Sequence, residues 1–135
     1  MAAADAFFDS NVILYLMSAD ARKADRAESL LASGGVVSVQ VLNEVADVAR
    51  RKFGLDWSEV RDILDGLRSV CRVDPVSIEV HEHALALAER FGLRIYDGLI
   101  VAAAARAGCT TLFTEDMHHG QTIDGLTLRN PFAGD

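Results

Sequence analysis

Proline is nearly absent: Pro75 and Pro131 are the only two in 135 residues, and no Gly/Ser-rich stretch takes their place as a linker. A chain of this length without a linker is expected to fold as one domain over 1–135. Cysteine is equally scarce. Cys71 and Cys109 lack the close spacing of a thiolate metal site, and nothing around them suggests a secretory context, so a reducing cytoplasm is the expected location. The opening Met1-Ala2-Ala3-Ala4-Asp5 has no basic flank and soon meets Asp5 and Asp9, unlike a secretory leader. No apolar run is long; 99–105 is the longest and is far too short to span a bilayer, so no membrane partner is expected.

Cations are outnumbered, 13 Lys and Arg against 20 Asp and Glu, for a net charge of −7. That balance argues against a passive nucleic-acid-binding module, which carries a basic excess. It leaves room for a nuclease, because a metal-binding acidic cluster depresses the sum while small basic patches steer the substrate. Arg22, Lys23 and Arg26 form one such patch and Arg50, Arg51 and Lys52 another, each otherwise a solvated helix face. The chain also lacks a P-loop, a Ser-His-Asp arrangement and any Lys after Lys52. The last absence excludes a receiver domain. Asn11, where a haloacid-dehalogenase-type phosphotransferase needs a second Asp, and Ile13, where an adhesion-type metal site needs Ser, exclude those too.

What the chain does have is alternation. Short β-rich runs at 4–8, 36–39, 72–76 and 111–114 are separated by segments with helical spacing at 11–17, 20–32, 41–53, 56–70, 77–91 and 96–107, with a last edge strand expected at 125–128. Asp56-Trp57-Ser58-Glu59 reads as a capping box, Ser77 as an N-cap, and Gly54, Gly92 and Gly108 as helix stops. The segment 96–107 is apolar on all sides, as a central buried helix would be. Strands alternating with helices imply an α/β fold: a parallel sheet of four to five strands with helices on both faces. Ligands in such sheets bind beyond the C-terminal strand ends.

Acidic residues fall at those ends. Asp9 closes Ala6-Phe7-Phe8, Glu44 borders the buried stripe of its helix, Asp97 opens the apolar helix, and Asp116 follows Thr111-Leu112-Phe113-Thr114. Each alone reads as a helix cap, an exposed helix residue or a turn residue. Together, with few Lys or Arg nearby in sequence, they would repel one another unless a cation neutralised them. A hard divalent ion with oxygen ligands, Mg²⁺ or Mn²⁺, suits that role, and phosphodiester cleavage suits the ion.

These residues resemble a family. Phe7-Phe8-Asp9-Ser10-Asn11-Val12-Ile13-Leu14, Val41-Leu42-Asn43-Glu44-Val45, Tyr96-Asp97-Gly98-Leu99-Ile100-Val101-Ala102-Ala103-Ala104 and Leu112-Phe113-Thr114-Glu115-Asp116-Met117 look like successive blocks of a PIN domain, most like the VapC toxins of bacterial type II toxin–antitoxin pairs. The resemblance covers essentially the whole chain, and its specificity lies in four blocks in order rather than in any one. It implies a three-layer α/β/α fold, a Mg²⁺- or Mn²⁺-dependent endoribonuclease, a homodimer, and a VapB-type antitoxin that holds the enzyme inactive. It places the acidic quartet on Asp9, Glu44, Asp97 and Asp116, with a supporting hydroxyl at Thr114. Ser10 stands where the family more often has Thr, a conservative departure. The rival reading is a non-catalytic PIN-like scaffold that binds RNA or protein; loss of an acidic position would mark it, and none is lost.

Of the remaining polar residues, His81 and His83 are i,i+2 on a helix and are expected at the surface rather than as a metal pair. His118 and His119 are expected in an exposed loop. Trp57 is expected to pack in the core or a dimer interface, and Tyr96 to frame the site or pack. The helices at 20–32 and 56–70 carry more apolar positions (Ala24, Ala27, Leu30, Leu31; Val60, Ile63, Leu64, Leu67) than one sheet face needs, which is the residue-level ground for a dimer.

Overall fold

The computed structural model describes residues 5–133. It opens with strand β1, Ala6–Phe8; Ala4, expected in this strand, lies outside the described residues. Helix α1, Ser10–Leu14, continues into a 3-10 turn at Tyr15–Met17 and is followed by α2, Ala21–Ala32. Then come β2 (Gly35–Ser38), α3 (Val39–Arg51), α4 (Trp57–Val70), β3 (Cys71–Asp74), α5 (Ile78–Phe91), α6 (Ile95–Arg106) and β4 (Thr111–Phe113). Two further strands close the fold, β5 (Thr122–Ile123) and β6 (Leu126–Arg129).

The sheet has six strands in the order β3-β2-β1-β4-β6-β5, parallel except for the β5–β6 pair. The α/β class with flanking helices is as expected. The sheet is one strand larger than expected, and β6 lies inside it, with β5 as the edge. The cause is a two-residue hairpin. Asp124 and Gly125 both take positive φ, 50° and 80°, which matches the twist of the strands they join.

A single buried rung crosses the sheet: Val36, Phe7, Leu112 and Leu128 are in register on adjacent strands, each with no exposed surface. Burial of such side chains stabilises by roughly 1.5–3 kcal/mol each. The expected caps are present. Asp56 and Glu59 form both halves of a capping box, and Ser77 Oγ accepts from Val80 N at 3.2 Å.

Helix α6 is buried from Ile100 to Ala104, and it approaches α5 very closely at Gly98. A Cβ there would stand 2.8 Å from the backbone oxygen of Ala84. Because this contact fixes where α6 begins, it also fixes Asp97. Gly98→Ala is therefore expected to lower stability by about 1–3 kcal/mol through overpacking, seen as a lower denaturant midpoint at unchanged slope.

Candidate active site

The strand order reverses direction at β1. The chain runs outward from β1 to β2 and β3, then returns to place β4 on β1's other side. The region beyond the β1 and β4 C-terminal ends is thus the topological switch point, where open parallel sheets bind ligands. Asp9 and Thr114 follow those two ends, one step beyond the stacked pair Phe8 and Phe113, whose ring centroids are 5.6 Å apart.

Asp9 is only 5% exposed. Its backbone N donates to Phe113 O at 3.0 Å, extending the ladder, and its carboxylate caps α1 by accepting from Ser10 N at 2.7 Å. Thr114, fully buried, donates from Oγ1 to Asp9 Oδ2 at 2.8 Å and accepts at the same atom from Asp116 N at 3.3 Å. One hydroxyl therefore orients both the Asp9 carboxylate and the chain leading to Asp116. Asn11 adds a second tie, its Oδ1 accepting from Glu115 N at 3.1 Å. Glu44 comes from α3, and its Oε1 is buried with no hydrogen-bond partner. Asp97 lies in the first turn of α6, where the helix dipole favours a carboxylate.

The four acids feel one another. Burial is the main cause of the raised Asp9 pKa, from 3.8 to about 6; the hydrogen bonds from Thr114 and Ser10 oppose it, and the charges of Glu44 and Asp116 add to it. Burial also raises Glu44, against hydrogen bonds from Ser10 and Gln40 and with a further push from Asp97. Asp97 is raised by burial and by Asp116, and lowered by Arg94. The structure thus brings Asp9, Glu44, Asp97, Asp116 and Thr114 to one place.

A divalent cation fits this donor set. Glu44 Oε1 lacks a donor, and the carboxylates oppose one another's ionisation, so added positive charge relieves both. Among the described residues, no three His, Cys, Asp or Glu side chains are grouped tightly enough to hold an ion by themselves.

Arg94 corrects the expectation that cations are scarce at the acids. It stands three residues before Asp97, and its charge reaches both Asp97 and Glu44. Gln40 and Asn11 also had no assigned role; Gln40 Nε2 donates to Tyr96 O at 3.3 Å, tying α3 to α6. Trp57 is 57% exposed beneath Arg50, whose guanidinium lies 4.7 Å from the ring centroid, so it is not a core residue. Its place just after the Asp56 cap turns it outward. His81 is exposed as expected, but His83 is partly buried, with Nε2 3.5 Å from Asp124 Oδ2. His118 and His119 are exposed, and His119 Nδ1 accepts from Asn130 N at 2.9 Å. Lys23 and Arg26 are not a simple solvated face: Lys23 pairs with Glu115 at 3.0 Å, and Arg26 Nε donates to Pro131 O at 3.1 Å.

The PIN domain family model matches residues 6–122, and the chain belongs to the PIN domain family. Solved structures of toxin–antitoxin proteins share its fold. A toxin–antitoxin complex from Klebsiella pneumoniae superposes with a TM-score of 0.73 at 22% identity, covering 94% of this chain and 98% of that one. VapC20 of Mycobacterium tuberculosis, described as a sarcin-ricin loop cleaving toxin, gives 0.68 at 21% identity over 82% of this chain and 89% of its own. VapBC2 from Rickettsia felis, bound to a DNA fragment from its promoter, gives 0.64 at 24% identity over 93% and 97%. No curated protein matches the chain.

Proposed function

We propose that this chain is a Mg²⁺- or Mn²⁺-dependent endoribonuclease and the toxin of a toxin–antitoxin pair. The observation that carries the reading is the convergence of Asp9, Glu44, Asp97 and Asp116 at the switch point, with a buried, unpartnered oxygen on Glu44. When bound, the ion lowers the pKa of a water and polarises the phosphoryl oxygen it touches. Asp9 and Asp97 are assigned as its direct ligands. Asp9 is held in one orientation by Ser10 N and Thr114, and Asp97 by its place on α6. Glu44 and Asp116 complete the ring, taking either a second ion or the waters around the first. Arg94 moderates the repulsion among them without cancelling it. RNA as the substrate is supported by the sarcin-ricin loop activity of the M. tuberculosis neighbour.

Toxin–antitoxin complexes among the structural neighbours support a VapB-type antitoxin as partner. The surplus apolar positions of α2 and α4 do not form an exposed patch. Ala27, Leu30, Leu31, Ile63, Leu64 and Leu67 turn toward the core, and Leu31, Ile63 and Leu67 also border a groove lined with Ile13, Leu16 and Val70. We assign that groove to apolar antitoxin side chains, with an antitoxin Arg or Lys reaching the acids; Arg suits them because its planar fork bridges carboxylates. The homodimer is retained on a different face, since Ile78 and Leu85 on α5 are 63% and 49% exposed. Light scattering on the chain alone tests it, a monomer at high micromolar concentration standing against it.

Thr114→Val should lower kcat/KM by about tenfold or more, the scale of one hydrogen bond to a charged group. The Thr114 bond lowers the Asp9 pKa, so its loss should also move the acid limb of the pH–rate profile upward. A slower enzyme with an unmoved profile would show that the hydroxyl does not act through Asp9. The reading as a whole is tested with purified chain and single-stranded RNA in Mg²⁺ or Mn²⁺. Cleavage should stop in excess EDTA and return with added metal, and full cleavage in EDTA would contradict the proposal.

A further inference from the structure

Beside the acidic centre, a cleft of about 300 Å³ opens between α1, the turn at Ser18 and the C-terminal end of α3. Asn11, Tyr15, Val48, Lys52, Phe53 and Glu115 line it. It is continuous with the site, because Asn11 Nδ2 stands 3.4 Å from Asp9 Oδ2 and Glu115 lies between Thr114 and Asp116. Helix α3 joins the two as well. Glu44, Val48 and Lys52 recur every four residues along one side of it, about 6 Å per step.

Its polar wall is set before any ligand arrives. Tyr15 OH donates to Glu115 Oε1 at 2.7 Å, and Lys23 Nζ donates at 3.0 Å to both Glu115 Oε2 and Tyr15 OH. The Lys23 ammonium offsets the Glu115 charge, and each carboxylate oxygen keeps a lone pair to accept from something else. A wall already ordered costs little further entropy on binding. The basic cluster of α3 is partly committed: Arg51 pairs with Asp47 at 3.3 Å, and Arg50 lies over Trp57. Lys52 is exposed, lines this cleft, and forms no ion pair among the described residues; its Nζ lies 5.9 Å from the Phe53 ring centroid, a longer approach than that of Arg50 to Trp57. In a chain of net charge −7, a cation without a carboxylate partner beside the acidic centre points to a phosphate.

Two aromatic rings, a fixed acceptor and an ammonium with no carboxylate partner among the described residues, all within one nucleotide's reach of the centre, match the chemistry of an unstacked base with its phosphate. We propose that this cleft receives one unpaired nucleobase adjoining the cleaved phosphodiester. Phe53 and Tyr15 form its aromatic wall, Glu115 accepts from a donor on the base edge, and Lys52 meets that nucleotide's phosphate. The proposal rests on the ribonuclease reading above and adds to it a positioning subsite for single-stranded RNA.

The test compares a short single-stranded RNA with the same RNA carrying one abasic nucleotide next to the mapped cleavage position, cut by wild type, Phe53→Leu, Phe53→Tyr and Lys52→Ala. Removing the base should lower wild-type kcat/KM by about ten- to a hundredfold, the scale of stacking lost per base. Phe53→Leu should lose a similar factor on intact RNA and little more on the abasic RNA, while Phe53→Tyr restores activity. Lys52→Ala should weaken RNA binding and flatten its salt dependence. Should Phe53→Leu cleave intact RNA within about twofold of wild type, or should its loss and that of the lesion simply multiply, the subsite is wrong and the ribonuclease reading stands. If wild type cleaves nothing in Mg²⁺ or Mn²⁺ while labelled RNA still binds through Phe53 and Lys52 in fluorescence anisotropy, the ribonuclease reading falls, and of the proposal only base binding in the cleft is upheld, its place beside a cleaved bond being overturned. If Phe53→Leu melts early, the wild-type response to the abasic RNA and the Lys52→Ala salt slope decide.

Discussion

Asp97→Asn is expected to slow RNA cleavage at least about a hundredfold, equivalent to about 2.7 kcal/mol of lost transition-state stabilisation. Asn keeps the size of Asp in the first turn of α6, so the helix and its close contact at Gly98 should persist. What changes is charge. Asp97 is coupled to Glu44 and faces Asp116, and without it the ring holds a divalent cation less tightly and Arg94 has less negative charge to offset. The Mn²⁺ concentration needed for half-maximal rate should therefore rise as well as the rate fall. Full-rate cleavage by the variant at the wild-type Mn²⁺ concentration would remove Asp97 from the site.

Asp9→Asn should have two effects of opposite sign: activity is lost and the metal-free protein gains stability. The folded-state pKa of Asp9 lies above its ordinary 3.8, at about 6. A carboxyl raised in this way contributes stability below its unfolded pKa, and that contribution is lost as pH rises through the folded pKa. A shift of this size corresponds to at most about 3 kcal/mol at neutral pH. The cost of turning the Thr114 hydroxyl to suit an amide reduces the net gain to about 1–2 kcal/mol. Melting in EDTA should show the variant gaining on wild type between about pH 4 and pH 7, with the gap closing as Mn²⁺ is added to wild type. A variant that melts below wild type at every pH would mean that Asp9 is held by favourable interactions rather than against the cost of burying its charge beside Glu44 and Asp116.

Much of this was legible in the chain. Alternating β-rich and helical segments gave the α/β class, since period and punctuation are local properties. The acids were visible because each interrupts or borders an apolar run, where a structural residue would be apolar. The remainder depended on distant residues meeting. The charge of Arg94 acts on Glu44 across fifty positions, and Glu115 is held by Tyr15 and Lys23, about a hundred positions away; no local pattern records either relation. Strand β5 escaped for another reason. It has only two residues, too few for a period, and its sign was the Asp124-Gly125 pair that turns it into β6. Trp57 shows the limit of residue type as a guide, being large and apolar yet turned outward beside its helix cap.

The central claim, that Asp9, Glu44, Asp97 and Asp116 jointly hold a divalent cation, is tested most directly by Mn²⁺ binding. Electron paramagnetic resonance of free Mn²⁺ in titrations of wild type, Asp9→Asn and Asp97→Asn gives affinity and stoichiometry without relying on any RNA. The account predicts one or two ions bound by wild type, with affinity at least about tenfold weaker in either variant, roughly 1.4 kcal/mol per carboxylate charge removed. Equal Mn²⁺ binding by all three proteins would contradict it.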